Sequence, residues 1–100
     1  MRYRVTKLAE RDLDGIFVYW AKRAGQEVAD RILDSIVERF WLLGEHPDAG
    51  KHSEDIAAGV RCFPAGKYLI YYRDTRQGTD ILRVFHGARD QPTAFKRAST

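Results

Sequence analysis

The chain has 100 residues, 44% apolar and 31% charged, a composition that forms one modest core and does not match a disordered segment. Its net charge of +3 is uneven: residues 1–50 carry eight Lys/Arg against nine Asp/Glu, and residues 51–100 carry nine against five. That basic half suits an acidic partner but falls short of a nucleic-acid-binding footprint.

Cys62 is the sole cysteine, which excludes an internal disulfide, and its place between Arg61 and Phe63 reads as a small buried residue. The start, Met1 to Lys7, lacks the apolar stretch of a signal peptide, and no apolar run reaches membrane-spanning length. A single cytoplasmic domain spanning 1–100, with no membrane association, is the expectation.

Tyr3 to Lys7 alternates apolar and polar residues and predicts a short half-buried strand. From Ala9 the period becomes helical, with Leu13, Ile16, Phe17, Trp20 and Ala24 on the inward stripe and Glu10, Arg11, Asp12 and Asp14 opposite. Gly25 supplies a stop. A second amphipathic helix carries Ala29, Ile32, Leu33, Ile36, Val37, Phe40 and Leu43 inward and ends near Gly44 and His46-Pro47. The short connection folds the two helices into an antiparallel hairpin. Val18, Tyr19 and Trp41 fit the inward stripes poorly and predict an exposed apolar strip for a partner. Residues 51 to 58 read as a polar connection.

Three strand-like runs follow. Gly59 to Phe63 turns at Pro64-Ala65-Gly66, Lys67 to Arg73 turns at Asp74 to Gly78, and Asp80 to His86 closes the series. The spacing predicts an antiparallel meander. Arg61 and Phe63 share one face of their strand, and Arg83 and Phe85 share one face of theirs. If both pairs fall on one side of the sheet, they form an alternating guanidinium and aromatic surface for phosphate, carboxylate or rings. The alternative reading puts both arginines at strand edges, paired with acids such as Asp80 or Glu54.

The segments G-V-R-C-F, G-K-Y-L-I-Y-Y-R and I-L-R-V-F-H-G-A-R-D, with D-L-D-G-I-F-V-Y-W and E-H-P-D-A-G earlier, resemble the ParE branch of the RelE/ParE toxins. These are the toxin halves of bacterial type II toxin–antitoxin systems. The resemblance implies an α+β two-layer fold of order β-α-α-β-β-β, with an antiparallel sheet against a helical hairpin and the first strand beside the last. It also implies a toxin that inhibits DNA gyrase without being an enzyme, arrests growth or stabilises a plasmid, and is neutralised by a ParD-like antitoxin. DNA would be met only through the antitoxin or gyrase.

The rival is a RelE-like, metal-free, ribosome-dependent endoribonuclease, in which His86 handles a proton and Arg61, Arg83 and Arg89 stabilise a developing charge. His86 otherwise reads as a ring closing the last strand against backbone or Asp90. By the resemblance, Arg89 falls at the nuclease's arginine and Phe95 near its tyrosine, but Phe95 has no hydroxyl to act as acid or base. Arg61 falls where the nuclease has a lysine, and Tyr68 where it has another arginine. A third reading is an inactive toxin kept as an antitoxin-binding module. His46, His52, His86 and Cys62 lack metal-site spacing, and no phosphate loop or dinucleotide fingerprint occurs, so no metal or cofactor is expected.

The candidate target-binding residues are Arg61, Arg83, His86, Arg89 and Asp90, with Phe95, Lys96 and Arg97 behind them in a segment that predicts a helical turn or two. An antitoxin helix is expected on Val18, Tyr19 and Trp41. An extended antitoxin segment is expected on a free outer strand at Val60, Arg61 and Phe63.

Overall fold

The structure, a computed structural model, describes residues 2–88. The element order is β1 (Tyr3–Val5), α1 (Lys7–Ala24), α2 (Gln26–Glu45), β2 (Lys51–His52), β3 (Val60–Ala65), β4 (Tyr68–Thr75) and β5 (Gly78–His86). Thr6 ends β1 and caps α1, its hydroxyl oxygen accepting from Ala9 N at 3.3 Å. Lys22 and Arg23 sit in the last turn of α1, where the helix dipole favours cations. One residue, Gly25, joins the helices at φ 94°, a conformation that side chains disfavour, and α2 runs back antiparallel.

The five strands lie in the order β1-β5-β4-β3-β2. β3, β4 and β5 form the expected antiparallel meander, and β1 does join β5. Two features correct the expectation. β1 pairs with β5 in parallel, so the sheet is mixed: the chain crosses the whole helical hairpin between them and returns in the same direction. The connection read as polar also contains β2, two residues paired antiparallel with Cys62 and Arg61. Alternation over two residues leaves no periodic signal.

The helices and the inner sheet face enclose Ile16, Ile36, Phe40 and Leu43 with Ile70, Tyr72, Ile81 and Val84. The outer face is apolar too: Val60, Tyr71 and Phe85 pack with Cys62, Leu69 and Leu82, and the 53–59 loop lays Ile56 and Ala57 on them. A bulge separates the two faces of β5. Tyr72 pairs with Ile81 and Tyr71 with Arg83, so Leu82 is left over and the side-chain phase slips by one. Ile81 and Val84, three apart, therefore both face the helices.

Candidate functional site

The slip at Leu82 decides where the arginines go. Phe63, opposite Ile70, packs on the helix side with Arg61 on the same face of β3, whereas Arg83 and Phe85 emerge on the outer face. The alternating surface therefore does not form: one half of the pattern lies on each side of the sheet.

Each arginine is engaged. Arg61 Nη1 donates to Gly50 O at 2.8 Å and Asp48 O at 3.4 Å, fastening the turn that leads into β2. Tyr72 holds the same turn. Its hydroxyl donates to Pro47 O and accepts from Gly50 N, both at 2.8 Å, while a Cβ on Gly50 would stand 2.6 Å from that oxygen. Burial pushes the Tyr72 hydroxyl above its ordinary pKa, against the opposing Gly50 hydrogen bond.

Arg83 makes a two-pronged bond to Asp12 on α1, with Nε to Oδ2 at 2.8 Å and Nη2 to Oδ1 at 2.9 Å. Asp12 Oδ2 also accepts from Val84 N at 2.9 Å, closing the part of the β5 edge that β1 is too short to cover. The Arg83 guanidinium lies 4.5 Å from the centre of the Phe85 ring, and its side chain is only 12% exposed. The partners expected for the arginines, Asp80 and Glu54, are elsewhere: Asp80 binds Arg4 at 2.9 Å and Glu54 accepts from Gly59 N.

Asp12 was expected to face water. It lies three residues beyond Ala9 and four before Ile16, on the border of the inward stripe, and that position was the available signal.

His86 faces the helices. Its ring meets Tyr68 edge-on at 5.4 Å, and Nδ1 accepts from Ala88 N at 3.3 Å. Arg11, Gly15, Ile16 and Tyr19 of α1 complete a cleft of about 270 Å³ around this pair. A larger, apolar cavity of about 370 Å³ lies between α2 and the β3–β4 turn, lined by Trp20, Val28, Ile32 and Tyr68 and rimmed by Arg31 and Lys67. Trp20 Nε1 donates to the Tyr68 hydroxyl at 2.8 Å beside it. Arg89, Asp90, Phe95, Lys96 and Arg97 lie outside the described residues.

The expected strip on the hairpin is not continuous. Val18 and Trp41 are both exposed, but Tyr19 is half-buried against Trp20 with Arg23 over its ring, and Trp41 packs edge-on against Tyr3 at the far end of α2. The outer strand at Val60, Arg61 and Phe63 is not free either. Its outward-facing backbone groups are taken by β2 at Cys62 and by Ser53 N and Ala57 O at Val60, and Pro64 has no N–H to offer.

Among the described residues no group of three or more His, Cys, Asp or Glu is placed to hold a metal, and no helix is long and apolar enough to cross a membrane.

This mixed sheet under a helical hairpin is the RelE/ParE arrangement of the type II toxin–antitoxin toxins. Residues 3–91 match the family described as the ParE toxin of the type II toxin–antitoxin system, parDE, and the chain belongs to that family. It is 32% identical to Toxin ParE1 of Caulobacter vibrioides over 84% of this chain and 86% of that one. To Toxin ParE1 of Mycobacterium tuberculosis it is 29% identical over 89% and 92%. The fold also overlays a chain of the chromosomal ParDE system from P. aeruginosa, with TM-score 0.75, 28% identity and coverage of 86% and 95%. A chain of the RelBE2 toxin–antitoxin complex of M. tuberculosis gives TM-score 0.65 and 30% identity, with coverage of 84% and 94%.

Proposed function

We propose that this toxin arrests growth by binding DNA gyrase and stalling it, and that a ParD-type antitoxin neutralises it. The observation that carries the reading is the engagement of the arginines. Arg61 is tied to backbone carbonyls of the 48–50 turn beside β3, and Arg83 to Asp12 of α1 at the edge of β5. A nuclease without a metal needs cations converging on one phosphate; among the described residues these two diverge. Names among the relatives, Toxin ParE1 and ParDE, support the same branch.

The second reading, a ribosome-dependent endoribonuclease, draws on the likeness to the RelBE2 chain and on the proximity of Tyr68 and His86. Immobilised toxin should retain purified gyrase, and co-production of the antitoxin should abolish both that retention and growth arrest. Failure to retain either gyrase subunit would overturn the proposal.

A further inference from the structure

The sheet has two edge strands, and they differ in what they leave open. β2 turns the backbone groups of a single residue, His52, outward, because Lys51 faces its partner Cys62. β1 offers more. The bonds Thr79 N to Arg2 O and Thr6 N to Ile81 O fix the alternation of the parallel ladder. Arg2, Arg4 and Thr6 thus face β5, and the N–H and C=O groups of both Tyr3 and Val5 point away from the sheet.

The same edge is flanked by apolar surface. Trp41, half exposed, stands edge-on to Tyr3 at 5.5 Å. Glu45, one turn on from Trp41, reaches Arg2 at 3.6 Å. One of the three large exposed hydrophobic residues among those described, Trp41, therefore sits by this edge. Unpaired strand edges next to apolar surface are sites of strand addition.

Charge selects the occupant. A second copy pairing antiparallel on Tyr3 and Val5 would set Arg4 directly opposite its own counterpart, a like-charge pair that opposes association. An unlike strand has no such conflict. Residues across from Tyr3 and Val5 point to the helix side, beside Trp41, and must be apolar. The residue between them points the same way as Arg4, whose exposed guanidinium has donors left after its bond to Asp80, and is best acidic.

We propose that β1 is completed by an extended apolar–acidic–apolar segment of a partner protein, added as a sixth strand. This rests on the antitoxin reading above, with the antitoxin supplying that segment.

The test is amide hydrogen exchange of the free toxin and of its complex with the cognate antitoxin, together with Val5→Pro and Trp41→Lys. Val5→Pro removes an N–H that no bond among the described residues uses, and edge positions tolerate proline. The Tyr3 and Val5 amides should slow by about a hundredfold on binding, and each variant should weaken binding by at least about tenfold. A complex that forms while these two amides exchange as before overturns the strand proposal and leaves the antitoxin reading intact. Failure to form any complex overturns both. A variant that unfolds is recognised by the loss of core-amide protection, and the wild-type exchange result then decides.

Discussion

Asp12 carries more of the fold than any other single acid among the described residues, because one carboxylate satisfies both the Arg83 guanidinium and a strand-edge amide. Its removal leaves a largely buried cation without its counter-ion. Asp12→Ala should cost about 3–5 kcal/mol in urea denaturation, and Asp12→Asn less, since the amide oxygen still accepts from Val84 N. Equal loss in the two variants would mean that charge contributes nothing.

Tyr71 offers a test by pH. Burial, with Cys62 beside it, pushes its hydroxyl up to about 12, whereas an unfolded tyrosine ionises near 10. The folded state therefore holds this proton more tightly, so stability is full below about pH 10 and falls as pH rises toward about 12. Tyr72 and the Cys62 thiol, both raised by burial, act in the same direction. Denaturation midpoints across that window should fall less steeply in Tyr71→Phe; an unchanged slope would assign the alkaline loss to other groups.

At the level of elements, the helices were the most legible part of the sequence. Their stripes recur often enough to mark an inward face, and Gly25 marked their junction. The φ of 94° there predicts that Gly25→Ala lowers stability by about 1–2 kcal/mol, readable as a shifted denaturation midpoint with unchanged helical circular dichroism.

The meander was legible as well, but the sides its residues take were not. Leu82 is one bulged residue in an otherwise regular run, and a slip of one exchanges the faces of everything after it. Whether Arg83 and Phe85 share a side with Arg61 and Phe63 was for that reason left open by the strand pattern alone. β2 was hidden because its two residues pair across a turn fastened by Arg61 and Tyr72, which is long-range information.

For the whole molecule, three of the six cations described in the basic half are held by acceptors of the fold itself. Of the six cations between residues 51 and 88, Arg61, Arg73 and Arg83 bond to backbone carbonyls or to Asp12, leaving Lys51, Lys67 and Arg76 on the surface. A surface of that kind favours protein recognition over grip on a polyanion. The most direct measurement is a parallel assay in which the purified toxin is titrated into a gyrase supercoiling reaction and into a cell-free translation reaction. The account predicts that supercoiling stops and translation proceeds with intact mRNA. Cleaved mRNA and blocked translation beside untouched supercoiling would contradict it.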